Sequence, residues 1–277
     1  MTIIDPTLRA GWEPDTPIGD SLLRRFLVNW TTSIEAQGRP YGGRVLRRDD
    51  LAAVDLGRPS FGGNVATLLA PLVPEDAGEL AAALDDFYGF STGPHSGTAF
   101  LFSPWPMPDL RPHGWTLLGY EPLMLRPPGG AAPPVPPGLR IAEVRDAAGM
   151  RAFETAVLRG FSSPELAAYG PGAIFSAELL TDDRYRFWVG WEEDRPVAAA
   201  ATFVGAGIND VTIVATIPEA RRRGYGAAVT WRATLADPTL PALLLATAEG
   251  HPVYERMGYL ALFRFAVWSR DRPGDAQ

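Results

Sequence analysis

The sequence predicts an α/β chain in two parts, the second built on a mixed central sheet flanked by helices. Three observations predict it. Residues 211–230 read as a β-branched apolar run from Val211 to Ile217, a glycine-containing turn and an amphipathic helix. Between 139 and 270, strand-like runs and helical periods follow one another. Residues 127–138 (Pro127-Pro128-Gly129-Gly130 through Pro136-Pro137-Gly138) cannot sustain a helix or a central strand, which sets domains at 1–126 and 139–277 around a stiff, extended linker.

In the first part, Leu22, Leu23, Phe26, Leu27 and Trp30 recur at three- and four-residue steps and predict a helix over 20–35. Asp50, Leu51, Val54 and Leu56 give no clear period. Residues 65–72 read as a strand, Pro74-Glu75-Asp76 starts a helix through Leu80, Leu84 and Phe87, and 98–103 read as another strand. A helix is expected over 109–118, followed by Gly119-Tyr120 and a strand over 122–125.

In the second part, 139–144 alternate as a strand should. Asp146 is a good N-cap for a helix that places Met150, Phe153, Val157 and Phe161 on one face. Ser163-Pro164-Glu165 opens a second helix. Residues 185–191 and 197–204 form a hairpin around Glu193-Asp194-Arg195-Pro196, and 209–216 is the strand that leads into the glycine turn.

The 277 residues suffice for two domains, and 46% hydrophobic with 21% charged residues suits a soluble globular protein. No run of 18 apolar residues and no leader pattern is present, so a cytoplasmic location without membrane attachment is expected. The net charge of −7 disfavours nucleic-acid binding and suits a cationic acceptor. The absence of cysteine excludes disulfides and thiolate chemistry, and His95, His113 and His251 lack ligand spacing, so no metal is expected. All 25 basic residues are arginine; a compositional bias toward Arg, Ala, Gly and Pro is one reading, and avoidance of self-modification at lysine is the other.

The turn has a chemical use. The first N–H groups of a helix lack internal partners and sit at the positive end of its dipole. Gly224 and Gly226 let a bulky anion approach the backbone, and Arg221, Arg222 and Arg223 add positive charge. Such a turn can hold a pyrophosphate. It is neither a Walker loop nor a Rossmann fingerprint. A basic surface turn at a helix start is the competing reading.

The arrangement Arg221-x-x-Gly224-x-Gly226, after a strand and opening a helix, resembles the coenzyme-A signature of the GNAT superfamily of N-acetyltransferases. The resemblance continues through the strand 242–246 and the segment 250–259, where Tyr254 stands four residues before Gly258-Tyr259. The order of elements over 139–270 matches the GNAT layout. The resemblance implies acetyl-coenzyme A as cosubstrate, with direct attack by a primary amine in a ternary complex. It places the pantetheine arm along Val214, Ala215 and Thr216, and the pyrophosphate on the backbone N–H groups of Arg222, Arg223, Gly224, Tyr225, Gly226 and Ala227. Arg221 occupies the family's Arg/Gln position. A small-molecule or peptide amine is the expected acceptor, and a monomer or homodimer the expected state.

Tyr254 is the candidate general acid. A phenol of pKa about 10 is protonated at neutral pH and can give a proton or a hydrogen bond to a departing thiolate, whose thiol pKa is about 8.5. A core tyrosine is the alternative. No general base stands out: Asp210, Glu154, Glu165 and Glu178 read as solvated surface carboxylates, a water chain would also serve, and His251 reads as part of the turn before its helix. Acceptor specificity is expected in 161–187, where Tyr169, Phe175, Tyr185 and Phe187 either line a site or form core. The first domain, with Trp105 and Trp115, is a candidate cover.

The order strand, proline-containing connection, helix, Gly-Tyr, strand occurs over 98–125 and again over 242–268, with Gly119-Tyr120 matching Gly258-Tyr259 and Trp115 in the place of Tyr254. The first domain therefore reads either as a degenerate GNAT-like duplicate without the cofactor turn or as an unrelated α/β cap. Beside the enzyme stand two other readings: an acyl-coenzyme-A sensor or scaffold without turnover, and an interaction platform that binds no cofactor.

Overall fold

The computed structural model describes residues 18–58, 60–90, 97–163, 166 and 169–271. Two compact units emerge: residues up to Pro122 together with those from Leu262 onward, and Leu123–Ala261. Each unit takes a strand from the other half of the chain.

In the first unit, α1 (Ile18–Gly38) buries Leu23, Phe26, Leu27 and Ile34. Trp30 Nε1 donates to Thr67 Oγ1 at 3.1 Å. Strands β1 (Arg44–Arg47), β2 (Leu51–Asp55), β3 (Val65–Leu68) and β4 (Ala99–Ser103) are completed by residues 262–270 of β11 (Leu260–Arg270), in the order β1-β2-β3-β4-β11. Helix α2 (Ala77–Tyr88) joins β3 to β4, which pair in parallel. The other neighbouring pairs are antiparallel. Every residue of β2 is buried, so its sequence had no alternation to show.

The helix expected over 109–118 is absent. One 3-10 turn (Arg111–His113) ends at Gly114, whose φ of 81° is left-handed, and β5 (Thr116–Arg126) follows at once. Pro112 gives no N–H, and Gly114 closes the turn before a helix propagates. The two chain segments that look alike in sequence thus differ where the second carries its tyrosine helix.

In the second unit, residues 123–126 of β5 pair antiparallel with β10 (Ala242–Leu245). The sheet continues through β9 (Ile208–Thr216), β8 (Arg195–Gly205), β7 (Tyr185–Glu192) and β6 (Arg140–Glu143). Only β9 and β10 run parallel, joined by α4 (Tyr225–Thr234). Asp146 caps α3 (Ala147–Gly160) by accepting from Gly149 N–H. Helix α5 (His251–Arg256) connects β10 to β11. The helix expected from Ser163-Pro164-Glu165 lies largely outside the described residues. The alanines of β8, poor strand formers, are all buried between α3 and α4, where small side chains let both helices approach.

The Pro/Gly segment is tied down in this unit. Gly129 N–H donates to Pro238 O at 2.8 Å. Arg126 donates to Gly129 O (2.7 Å) and to Met257 O (3.0 Å), with its guanidinium over the Trp231 ring. Beyond β6, which pairs antiparallel with β7, the second unit repeats the first unit's pairings, antiparallel, antiparallel, parallel, antiparallel, with a helix between the parallel strands and the last strand supplied by the other half. Among the described residues, no helix is long and apolar enough to cross a membrane.

Candidate functional site

The site begins where β9 leaves β10. The two strands pair only at Asn209–Ala242 and Asp210–Leu243, near their starts. Thr212 is the extra residue of a bulge against β8, which bends β9 as it departs. Ile217 N–H donates to Val197 O at 3.0 Å, so by antiparallel alternation Ile217, Ala215 and Ile213 turn their main-chain groups to β8. The N–H and C=O of Val214 and Thr216 face the opposite edge, which β10 does not cover. Arg221 Nε donates to Thr216 O at 3.2 Å, leaving Val214 and the Thr216 N–H as the outward groups of that edge.

After β9, Pro218–Ala220 make one 3-10 turn and the chain reaches Arg221. Arg222 has a φ of 61° and Gly224 a φ of 78°, both left-handed. A non-glycine residue there carries about 1–3 kcal/mol of strain. Gly226 packs closely on the end of β9: a Cβ there would lie 2.8 Å from Thr216 Oγ1, which would have to turn away. The first turn of α4 therefore sits directly against the end of β9. Residues 221–224 are exposed, with their backbone at the N-terminal end of the helix.

The three arginines do different things. Arg221 bridges Thr216 O and Gly160 O (2.8 Å), fastening the end of α3 to the end of β9. Arg223 pairs with Glu192 at 2.5 Å and lies over the Tyr225 ring. Arg222 is exposed at the tip of the turn.

Tyr254 lies on α5, packed against the core that contains Tyr225, Val229 and Leu244, as Val214 is. Its ring sits over Gly250, where a Cβ would meet Cε2 at 2.8 Å. Burial pushes its phenol up to about 12. The neighbouring Tyr259 hydroxyl is engaged with Thr234 Oγ1 at 2.7 Å and is also raised by burial.

No protein-family model and no curated protein matches the chain. Solved structures do. A GCN5-related N-acetyltransferase from Kribbella flavida is 22% identical over 89% of this chain and 96% of its own, with a TM-score of 0.60. One from Sphaerobacter thermophilus is 15% identical over 93% of this chain and 95% of its own, at 0.55. A functionally unknown conserved protein from Staphylococcus epidermidis, 14% identical, covers 84% of this chain and 96% of its own at 0.61. The fold is GNAT-like.

In this GNAT-like fold, the sequence-predicted residues Val214, Ala215, Thr216 and 221–227 fall together at the end of β9 and the start of α4, in the second unit with Tyr254. The carboxylates fare differently from the expectation of solvated surface groups. Glu154 is 3% exposed and accepts three backbone N–H groups, from Gly172 (2.6 Å), Ile174 (2.7 Å) and Phe175 (2.8 Å). It holds the 172–175 loop on α3. Asp210 is buried, at the last residue where β9 and β10 pair. Glu178 is exposed, as expected, and Glu165 lies outside the described residues.

Two of the four acceptor-side aromatics are core. Phe175 and Phe187 are buried and make edge contacts with Phe153, and Tyr185 stacks on Phe187. Tyr169 is exposed.

Sequence reasoning missed two residues of the GNAT-like unit. A Cβ on Gly160 would lie 2.9 Å from Ala215 Cβ and 3.1 Å from Thr216 N, so α3 reaches β9 only because residue 160 has no side chain. A glycine closing a helix is ordinarily read as a stop signal, which hid the close approach. Glu192, in the hairpin, carried no motif. Among the described residues, no group of three or more His, Asp or Glu is placed to hold a metal.

Proposed function

We propose that the second unit is an acetyl-coenzyme-A-dependent N-acetyltransferase that passes the acetyl group to a primary amine by direct attack in a ternary complex. One observation carries this reading: the uncovered edge of β9 runs straight into an exposed helix start that Gly226 brings close against Thr216. An extended amide-containing arm adds to such an edge as a strand does. Val214 N–H and C=O and the Thr216 N–H pair with it. The backbone N–H groups of residues 222–227 take the pyrophosphate. Acetyl-coenzyme A supplies the activated acyl group, and the chain's work is largely positioning.

Tyr254 serves as a hydrogen-bond donor to the leaving sulfur. With its phenol near 12 and a thiol near 8.5, full proton transfer is uphill by about 5 kcal/mol, whereas donation of a hydrogen bond needs no ionisation. Glu154 is committed to three backbone groups, which disfavours it as general base. The same observation favours a second reading, an acyl-coenzyme-A sensor or scaffold without turnover.

Among the described residues, the first unit is a poor host for the same cosubstrate. Its equivalent helix opens with Glu75, Asp76 and Glu79, three carboxylates at the end where an anion would sit. We read it as a degenerate counterpart of the second unit.

The test is release of free coenzyme A from acetyl-coenzyme A against a panel of small and peptide amines, with Tyr254→Phe beside the wild type. Amine-dependent release that drops in the variant supports the transferase. Tight binding of acetyl-coenzyme A without release against any amine supports the sensor.

A further inference from the structure

Arg222 is a strained residue between two tethered neighbours. On its N-terminal side Arg221 is fixed to Thr216 O and Gly160 O. On its C-terminal side one carboxylate, Glu192, holds both Arg223 and Tyr225. Glu192 Oε1 accepts from Arg223 Nη2 at 2.5 Å and from the Tyr225 hydroxyl at 3.3 Å, while Oε2 accepts from Arg195 Nη2 at 2.7 Å. The Arg223 guanidinium lies 4.5 Å from the Tyr225 ring centroid, so the three side chains form a closed cluster. Tyr225, the first residue of α4, is 1% exposed and belongs to the unit's core. The hydrogen bonds from Arg223 and then Arg195 hold the Glu192 carboxyl below the usual range, so it is ionised at neutral pH.

A left-handed non-glycine residue persists only where its surroundings over-determine it. Here the surroundings on one side come from β9 and α3, and on the other from Glu192 at the end of β7. We infer that Glu192 is a positioning residue for the phosphate-binding turn: from the β7–β8 hairpin it fixes Arg223 and Tyr225, and so sets the backbone N–H groups between Arg222 and Ala227 in their anion-binding geometry. This inference rests on the proposed function and assigns Glu192 no contact with the ligand.

The sign of one measurement separates this role from simple electrostatics. Glu192 is a negative charge beside a turn meant for a polyanion. By Coulomb's law alone, removing it frees Arg223 and strengthens binding. If Glu192 positions the turn, removing it weakens binding. The Gln variant loses the charge yet keeps an oxygen acceptor for Arg223 and Tyr225, so the two effects come apart.

The experiment is calorimetric titration of the full chain with acetyl-coenzyme A, for wild type, Glu192→Ala and Glu192→Gln, with thermal melting of each. The expected result is a Kd raised at least about tenfold in Glu192→Ala and within about threefold of wild type in Glu192→Gln, since small misplacements of binding groups carry large losses. Glu192→Ala should lower the melting temperature modestly, since it leaves the buried Tyr225 hydroxyl without its acceptor, and Glu192→Gln less, since the amide oxygen keeps it. Equal or tighter binding by Glu192→Ala overturns the inference alone. A wild-type chain that binds no acetyl-coenzyme A overturns the proposed function and this inference with it.

Discussion

Arg221 reaches 61 residues back along the chain, its Nη2 donating to the Gly160 carbonyl oxygen at 2.8 Å. The same guanidinium holds Thr216 O, so one side chain ties the end of α3 to the end of β9. The residue expected from the sequence at the anion site also serves, in the folded protein, as a clasp.

The clasp closes over a contact that tolerates no side chain. Gly160→Ala places a methyl group 2.9 Å from Ala215 Cβ and 3.1 Å from Thr216 N. Helix propensity favours alanine by about 1 kcal/mol, but overpacking costs about 1–3 kcal/mol. The variant should lose net stability, and acetyl-coenzyme A affinity with it, since the new methyl group crowds an outward main-chain group of β9. Arg221→Ala should weaken stability by about 1 kcal/mol. Urea denaturation beside ligand titration checks both, and a Gly160→Ala protein as stable and as tight-binding as wild type would rule out the crowding.

Glu154 anchors the 172–175 loop from inside. Gly172 N–H uses Oε1, while Ile174 and Phe175 N–H share Oε2. Glu154→Gln keeps one acceptor and turns an amide donor on the remaining N–H, so it should destabilise by about 1–3 kcal/mol. Glu154→Ala orphans all three groups and should cost more. Both should raise the KM for the amine more than that for acetyl-coenzyme A. A rise confined to acetyl-coenzyme A would show that the loop serves the other substrate.

Much of the second unit was legible because its signals are local. The run from Val211 to Ile217, Gly224 and Gly226, and the Asp146 cap each declare an element within a few residues. What was hidden depends on distant partners. Glu154 looks like any helix carboxylate until the loop eighteen residues on closes over it. The segment after Pro108 has helical spacing, yet Pro112 and Gly114 limit it to one turn and its continuation is strand β5. Phe175 and Phe187 suggest an aromatic site, and only tertiary contact with Phe153 shows them to be core. No local rule announces that β11 pairs with β4, more than 150 residues earlier.

Tyr254 sets two pH dependences. As a hydrogen-bond donor it must stay protonated, and its phenol near 12 keeps it so across the alkaline range where an ordinary tyrosine ionises. Turnover should therefore show no fall near pH 10 attributable to this group, and Tyr254→Phe should lower kcat about ten- to a thousandfold at every pH tested. For stability, a folded-state pKa above the unfolded value of about 10 means full stabilisation below pH 10, lost as pH rises toward 12. Tyr259 and Tyr88, also raised by burial, add losses of the same sign. Unfolding followed by circular dichroism should track a late phase of tyrosinate absorbance. An activity loss centred at pH 10 that disappears in Tyr254→Phe would contradict the buried phenol.

The exchanged strands make the chain's two halves mutually dependent. Residues 139–277 expressed alone lack the segment 123–126, which pairs with all four residues of β10. They also lack Arg126, which donates to Met257 O at the end of the Tyr254 helix. They keep residues 266–270 without β4, their antiparallel partner, leaving Trp268 and Phe265 with no core to enter. An uncovered central strand edge and a stranded apolar strand favour aggregation over folding. The fragment should therefore show no cooperative thermal transition and no acetyl-coenzyme A binding, although it contains every residue assigned to the site. Co-expression with residues 1–126 should restore both, because that piece returns 123–126 to β10 and offers β4 to 266–270. A fragment that melts cooperatively and binds acetyl-coenzyme A alone would show that β10 and β11 find other partners when the exchange is cut.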